Sequence, residues 1–186
     1  MDRPAPVAAA LTPVISDLDI RLARSSDVDQ IALAHGDSIR SIGSRFYPRD
    51  VVDAWQEGLT RRLYLDAMKR GEVFFIATGT VEGTPLVLGF ASDYQIEGSR
   101  HGASVYVRGI AARRGIGSAL FRAAEAHAVA RGASSIEIEA SLAGEEFYRL
   151  HGFVEIGRGE TRLTSGHPIA CIFMRKDLIG HPPSLG

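Results

Sequence analysis

The sequence predicts an α/β (α+β) domain with a mixed, mostly antiparallel central sheet of six to seven strands, flanked by about four to five helices. Helical patterns come first, over about residues 25–70. Strand patterns separated by Gly-rich turns follow, and a strand-helix-strand-helix run then leads to a last hairpin. Hairpins give antiparallel pairs and a crossover helix gives a parallel pair, so the sheet is mixed and the helices pack on its faces.

In the first half of the chain, alternation of apolar residues marks the strands, and caps and breakers mark the helices. A serine at 25 or 26 caps the first helix, Pro48 precedes the second, and Gly71 stops the third. The predicted elements are a strand at 20–23, helices at about 25–41, 50–58 and 60–70, and strands at 73–78, 86–94 and 103–107.

In the second half, an alanine-rich helix ends at Gly132, a residue type that commonly follows a helix C-terminus. The strand after it alternates isoleucine and alanine with glutamate and serine, which indicates one buried and one exposed face. The predicted elements are a helix at 118–130, a strand at 136–141, a helix at about 144–150, and strands near 154–157 and 169–174.

The chain has 186 residues, 45% of them apolar and 23% charged, as expected of one soluble globular domain. Its 21 basic and 22 acidic residues leave no net field to attract nucleic acid or a membrane surface. We expect a disordered N-terminal tail over 1–17, a domain over 18–178 and a C-terminal tail over 179–186. No apolar run reaches the roughly 18 residues of a membrane helix, so a cytoplasmic location is expected.

The cysteine and histidine content argues against disulfide and metal chemistry. The single cysteine, Cys171, excludes an internal disulfide framework and is expected to be a buried, small apolar residue. None of the six histidines shows the spacing of metal ligands, so no metal is predicted.

The most informative segment is residues 105–120, VYVRGIAARRGIGSAL. A strand pattern runs into a glycine turn, and a helix starts at once. The free N–H groups and the dipole of a helix N-terminus favour an anion, and glycines let the backbone approach it closely. Two arginines precede the glycines and add charged donors. The segment therefore predicts a site for a ligand that carries a pyrophosphate.

Two common phosphate-binding motifs do not fit this segment. A dinucleotide fingerprint, G-x-G-x-x-G, would need glycine where Leu120 stands. A P-loop would need G-x-x-x-x-G-K-[ST], and the sequence contains no such string.

A second motif follows about thirty residues later, where a strand leads into AGEEFYRLHGF. Together the two motifs resemble the GNAT superfamily of acyl-CoA-dependent N-acyltransferases. That family carries V-x-P-x-x-[QR]-x-x-G-x-[GA], matched by residues 107–117, and A-x-x-F-Y-x-x-x-G-F, matched by residues 144–153. The resemblance covers roughly residues 18–178 and implies the GNAT fold.

The resemblance implies acetyl-CoA as cosubstrate. Its pyrophosphate would lie on the backbone N–H groups of the glycine turn, and its pantetheine arm would pair with the preceding strand like an added strand. The cofactor-binding residues so implied are Val105, Tyr106, Val107, Arg113, Arg114, Gly115, Ile116, Gly117 and Ser118.

Four positions depart from the family pattern. Ala112 stands where glutamine or arginine is usual, with Arg113 in place of a common glycine. Gly109 stands where proline is usual, and Ser141 replaces an asparagine often found at the end of the fifth strand.

The resemblance implies direct attack of an amine on the thioester, with Tyr148 as general acid to the CoA thiolate. A tyrosine with a pKa near 10 is protonated at neutral pH and can reprotonate a thiolate. Glu139 is the candidate base, with Asp93 and Tyr94 as contenders. The acceptor pocket is expected among the first helices, lined by Tyr47 and Trp55 together with Asp93.

Two other functions remain open from the sequence. One is a non-catalytic acyl-CoA-binding domain that acts as a sensor or a structural part of an assembly; the other is a nucleotide-binding regulator. The acceptor is expected to be a small-molecule or peptide amine of unidentified structure. Pairing of exposed sheet edges makes a homodimer plausible.

Overall fold

The computed structural model describes residues 13–178. Its strands are β1 (Ile15–Leu22), β2 (Val73–Val81), β3 (Thr84–Glu97), β4 (Arg100–Val107), β5 (Ser135–Ser141), β6 (Val154–Arg162) and β7 (Pro168–Asp177). Its helices are α1 (Val28–Ser41), α2 (Arg49–Glu57), α3 (Arg61–Lys69), α4 (Ile116–Ala130) and α5 (Glu145–Leu150). Short 3₁₀ turns precede or follow several of them.

The strands form a seven-stranded sheet in the order β1-β2-β3-β4-β5-β7-β6. Within residues 13–178, β4 and β5 are the only parallel neighbours, and the other neighbouring pairs are antiparallel. The helix α4 makes the crossover between β4 and β5. The predicted fold class, a mixed and mostly antiparallel sheet with flanking helices, is confirmed.

Helices cover both faces of the sheet, and the two faces are named here after their principal helices. On the α1 face, side chains such as Phe74, Ile76 and Phe90 pack with α1 and α3. On the α4 face, side chains such as Ala91 and Ile138 pack with α4 and α5. Because successive strand residues point to opposite faces, the strand register decides which residues meet in a site.

The first strand is longer than the sequence predicts. β1 begins at Ile15, so residues 15–17 of the expected tail belong to the sheet, where Ile15 pairs with Val81. A register shift lies between Ser16 and Asp19, and Asp17 has a φ of 53°. This bulge interrupts the apolar alternation on which the prediction depended. Residues 1–12 and 179–186 of the expected tails lie outside the described residues.

The β3–β4 hairpin is also longer than predicted. β3 continues to Glu97 and β4 begins at Arg100, with Gly98 in the turn at a φ of 56°. Residues 94–97 are exposed and polar or mixed in character, so they carry no strand signal in the sequence. None of the described helices combines the length and the apolar character needed to cross a membrane.

Phe121 is the residue on which the junction of α4 and α5 depends. It is fully buried, and the rings of Phe147, Tyr148 and Phe153 surround it at centroid distances of 6.3, 6.4 and 5.6 Å. Phe121→Ala should lower the free energy of unfolding by about 3–5 kcal/mol, because it leaves a cavity among rigid rings. Urea denaturation measures the change.

Leu150→Ala is the matched control for this prediction. Leu150 ends α5 but is 79% exposed, so its truncation should change the free energy of unfolding by less than about 0.5 kcal/mol. An equal loss in both variants would contradict the assignment of Phe121 to the core of this junction.

Candidate active site

The site is centred on the point where β4 and β5 separate. The two strands pair only at Arg100↔Ser135, His101↔Ile136 and Gly102↔Glu137. From residue 103 onward β4 keeps its pairing with β3, while β5 pairs along its whole length with β7. The β5-facing backbone groups of residues 103–107 thus have no strand partner among the described strands. The opening is a V-shaped cleft that an extended ligand can fill by completing the sheet.

The predicted anion cradle follows β4 directly. A 3₁₀ turn at Gly109–Ala111 leads to Gly115, the N-cap of α4, which has a φ of 78°. No side chain caps this end of α4. A Cβ on Gly117 would lie 3.3 Å from the Phe147 ring and 3.4 Å from the Val107 side chain, so glycine allows α4 to start close to both. The first-turn N–H groups of α4 therefore remain available for an anion.

Arg113 occupies a strained backbone position in this turn. Its φ is 62°, in the left-handed region that favours glycine. This explains why glycine is common at the corresponding position of the motif. The Arg113 side chain is 87% exposed, and its guanidinium lies 3.8 Å from the Glu146 carboxylate at the mouth of the cleft. Arg113 thus places a positive charge at the mouth of the cleft, although its backbone conformation there is strained.

The other two predicted side chains of the cradle, Arg114 and Ser118, both have partners within the protein. Arg114 donates a hydrogen bond of 2.9 Å to the Pro13 carbonyl, so its guanidinium is directed toward the N-terminal segment. Ser118 lies in the first turn of α4, and its hydroxyl is 3.0 Å from His151 Nε2. Burial, together with the Lys176 and Arg122 charges, lowers the pKa of His151, so the ring is neutral at neutral pH. This contact joins the two sequence motifs physically.

Asp37 is a residue that the sequence analysis missed. From α1, its Oδ2 accepts a hydrogen bond of 2.8 Å from the backbone N–H of Gly109 at the start of the cradle turn. A Cβ on Gly109 would lie 2.6 Å from the Ser41 side chain, so α1 approaches this turn closely. The usual proline at this position has no N–H to donate. The departure at Gly109 is therefore matched by a specific partner, which no local sequence pattern reveals.

Tyr148 reaches the cleft from the α4 face. It is 7% exposed, and its phenol lies near the Val105 backbone N–H, at the part of β4 that has no partner in β5. Burial raises the pKa of Tyr148 above its usual value, the Tyr106 phenol adds to this, and the nearby Val105 N–H opposes it. The phenol is therefore protonated at neutral pH, with its own proton free to be donated.

The α1 side of the cleft is aromatic. Trp55 meets Tyr47 edge to face at 5.6 Å and Tyr106 at 6.3 Å, so the structure brings these three predicted residues together. The Tyr47 hydroxyl accepts a hydrogen bond from the Leu142 N–H and donates one to the Ala170 carbonyl, both at 2.7 Å. Tyr47 thus holds the α1–α2 connection against the ends of β5 and β7, and its hydroxyl has no free role.

His35, which the sequence analysis did not single out, lies beneath these aromatic rings. Its ring centroid is 3.7 Å from that of Tyr106, and its Nδ1 is 3.0 Å from the Tyr64 hydroxyl. Burial lowers the pKa of His35 to about 3, so it is neutral at physiological pH. It supports Tyr106 from behind as a packed neutral ring.

Asp93 is a correction to the sequence analysis, which placed it in the acceptor pocket. It is 2% exposed and points to the α4 face, where its carboxylate lies 2.7 Å from both His101 Nδ1 and His127 Nδ1. Strand alternation gives the α1 face to Tyr94 instead. The Tyr94 ring lies over Gly102, where a Cβ would come within 2.2 Å of the ring. Asp93 is therefore a buried partner of two histidines and does not line the cleft.

Glu139 lies on the α1 face, opposite the buried Ile138 and Ala140, and is exposed. It pairs across strands with Phe173 of β7. Cys171 of β7 is 3% exposed, and burial raises the pKa of its thiol, which makes it unsuited as a nucleophile. Within residues 13–178 no group of three histidine, cysteine or acidic side chains is arranged to hold a metal ion.

The fold and the cleft are those of an acyltransferase. A family model described as an acetyltransferase (GNAT) domain matches residues 47–178. The chain belongs to this family, and it is an acyltransferase enzyme. A comparison with curated proteins gives no match.

Solved structures of the same fold support the assignment. A GCN5-related N-acetyltransferase from Rhodopseudomonas palustris is 27% identical, with a TM-score of 0.72 over 89% of this chain and 98% of that one. The PaiA N-acetyltransferase from Thermoplasma acidophilum, solved with coenzyme A, is 18% identical, with a TM-score of 0.68 over 87% and 99%. The yncA protein of Salmonella typhimurium, solved with its cofactor acetyl-CoA, is 19% identical, with a TM-score of 0.61 over 90% and 97%.

The backbone strain at Arg113 can be measured by comparing two substitutions. Arg113→Gly and Arg113→Ala both remove the guanidinium, but only glycine relieves the positive φ. Arg113→Gly should therefore be the more stable variant by about 1 kcal/mol in urea denaturation, since the relief of about 1–2 kcal/mol exceeds the entropy lost on ordering a glycine. An Arg113→Ala variant as stable as Arg113→Gly would show that the turn is unstrained.

Proposed function

We propose that the protein transfers an acetyl group from acetyl-CoA to a primary amine by direct attack. Tyr148 acts as general acid to the departing CoA thiolate. The observation that carries the proposal is the position of the Tyr148 phenol, buried and protonated against the Val105 backbone in the cleft between β4 and β5.

The cofactor would be held mainly by backbone. The pyrophosphate would accept hydrogen bonds from the first-turn N–H groups of α4, with Arg113 at the rim. The pantetheine arm would pair with residues 105–107 of β4 in the place that β5 leaves vacant. The PaiA protein, solved with coenzyme A, and the yncA protein, solved with acetyl-CoA, share this fold, which supports acetyl-CoA as the cosubstrate.

Direct attack suits the surroundings of the cleft better than an acyl-enzyme. The described residues contain one cysteine, Cys171, and it is buried with a raised pKa. The amine instead attacks the thioester carbon, the carbon–sulfur bond breaks, and the thiolate takes the Tyr148 proton. The thiolate, whose conjugate thiol has a pKa near 8.5, is the base in this step, and the phenol is the acid.

The acceptor would approach from the α1 face, past Tyr47, Trp55 and Tyr94. Glu139 presents an exposed carboxylate on this face, which attracts a cationic amine. Its predicted part as the proton acceptor stays a prediction, as do the expected homodimer and cytoplasmic location.

Binding of the cofactor is the first test. Calorimetric titration of acetyl-CoA into the purified protein should show saturable binding, with ATP and NAD much weaker because they lack the pantetheine arm. Arg113→Ala should bind acetyl-CoA several-fold more weakly, and the difference should shrink at high salt because the cation is exposed. Comparable affinity for all three nucleotides would favour a nucleotide-binding regulator, and no binding of acetyl-CoA would contradict the proposal.

Tyr148→Phe tests the chemistry. It should lower turnover of acetyl-CoA with an amine by about 10²–10⁴-fold, because the thiolate then leaves without a proton donor. The ring and its packing remain, so acetyl-CoA affinity in the same titration should stay within about twofold of the wild type. An unchanged rate would remove Tyr148 from the mechanism, and a wild type that binds acetyl-CoA but acetylates no amine would favour the non-catalytic binding domain.

A further inference from the structure

A line of polar groups crosses the α1 face of three strands beside the cleft. Glu72 immediately precedes β2, Ser92 lies on β3, and Ser104 lies on β4. Ser92 and Ser104 face each other across the strands with their Oγ atoms 2.8 Å apart. The Glu72 carboxylate lies beside the Ser92 hydroxyl, close enough for the hydroxyl to oppose the rise in its pKa. The line therefore leads from a carboxylate through two hydroxyls to β4.

The backbone fixes Glu72 at the start of this line. Gly71, two residues after the end of α3, is in the left-handed region at a φ of 94°. The Glu72 N–H then donates a hydrogen bond of 3.1 Å to the Ala67 carbonyl, which closes the end of the helix. The position of Glu72 is thus fixed, and by strand alternation it lies on the same face as Phe74 two residues later.

The far end of the line lies at the apex of the cleft. The last pair between β4 and β5 is Gly102↔Glu137, so Ser104 is the first α1-face residue of β4 beyond it. Tyr148 meets the next residue, Val105, from the α4 face. Ser104 and Tyr148 therefore flank the same stretch of backbone from opposite sides.

The surroundings of Glu72 make it a better proton acceptor than an exposed carboxylate. Burial raises the pKa of Glu72, and the nearby Asp93 carboxylate adds to this, while the Ser92 hydroxyl and the Arg70 charge oppose it. Ser92 is fully buried, which keeps water away from the middle of the line. A carboxylate with a raised pKa, connected to the cleft by hydroxyls, is suited to accept a proton and pass it on.

We propose that Glu72 receives the proton of the acceptor ammonium through Ser104 and Ser92, an inference that rests on the proposed function. The ammonium gives a proton to Ser104 Oγ as the Ser104 proton moves to Ser92 and the Ser92 proton moves to Glu72. The neutral amine then attacks the thioester carbon and the carbon–sulfur bond breaks. The thiolate takes the Tyr148 proton, the second nitrogen proton restores Tyr148, and Glu72 releases its proton to solvent.

The relay must remove a proton from an amine that is charged at neutral pH. An amine with a pKa of about 10.4 is almost entirely protonated at pH 7.5, and only about one molecule in 10³ is neutral. Ser104 is the only group of the relay that contacts the amine, so Glu72 acts through it. Glu139, the sequence candidate, is exposed, and no hydrogen bond among the described residues connects it to β4.

Glu72→Gln tests the relay, because glutamine keeps the size of the side chain and a polar group beside Ser92 but accepts no proton. With an amine that the wild type acetylates, kcat/KM of Glu72→Gln should fall about 10²-fold at pH 7.5. Acetyl-CoA affinity should stay within about twofold of the wild type. Ser104→Ala should give a loss of the same order, since it breaks the line at the cleft.

The pH profile distinguishes proton transfer from a structural role. Wild-type kcat/KM should be flat between the raised pKa of Glu72 and the pKa of the amine, because the protein takes the proton itself. In Glu72→Gln only amine that is already neutral reacts, so kcat/KM should rise about tenfold per pH unit over that range. The control is Glu82→Gln, an exposed glutamate in the turn at the far end of β2, which should match the wild type.

Three results would overturn the relay. The first is a Glu72→Gln profile that stays flat and within twofold of the wild type. The second is a kcat/KM profile that rises about tenfold per pH unit in Glu139→Gln while the profile of Glu72→Gln matches that of the wild type. The third needs no turnover: NMR titration of the Glu72 side-chain carboxyl carbon should give a pKa above the usual value of about 4.3, and a lower value would contradict the proposal. Failure of the wild type to acetylate any amine would count against the proposed function and leave the NMR result to decide on Glu72.

Discussion

The separation of β4 from β5 is the constraint on which the rest of the site depends. Three parallel pairs hold the strands together, and β5 then keeps β7 as its partner while β4 keeps only β3. Unpaired backbone groups inside a fold are costly unless something satisfies them. On the α4 face, the Tyr148 phenol lies near the Val105 N–H, and the opening suits an extended ligand with amide groups of its own.

The cleft keeps its shape because contacts between distant parts of the chain fix each of its walls. Asp37 of α1 holds the cradle turn at Gly109, and Ser118 of α4 meets His151 beyond α5. Tyr47 bridges the ends of β5 and β7 from the α1–α2 connection. A hydrogen bond of this kind contributes about 1 kcal/mol, but each one also removes freedom from an element that lines the site. The walls of the cleft are therefore held in place by contacts between the helices and the sheet on which they pack.

Much of the fold could be predicted from the sequence, because the alternation of apolar residues in strands and the glycines that follow helices are local signals. Gly71 and Gly132 end their helices as expected, and the two motifs lie where β4 meets α4 and where β5 meets α5. The failures concern information that is not local. Asp93 and Tyr94 are neighbours in sequence, and only the strand register decides which of them faces the cleft. The roles of Asp37 and Glu72 depend on contacts with strands and turns that are distant in sequence, so no window of sequence reveals them.

The register also keeps the acid and the proposed proton acceptor apart. Tyr148 belongs to the α4 face and Glu72 to the α1 face, so the thickness of the sheet lies between them. A phenol and a carboxylate in direct contact would share one proton, and neither would then be in the form that its step requires. Their placement on opposite faces allows burial to raise both pKa values without the two groups sharing a proton. A thioester in the opening between β4 and β5 would lie between the two groups.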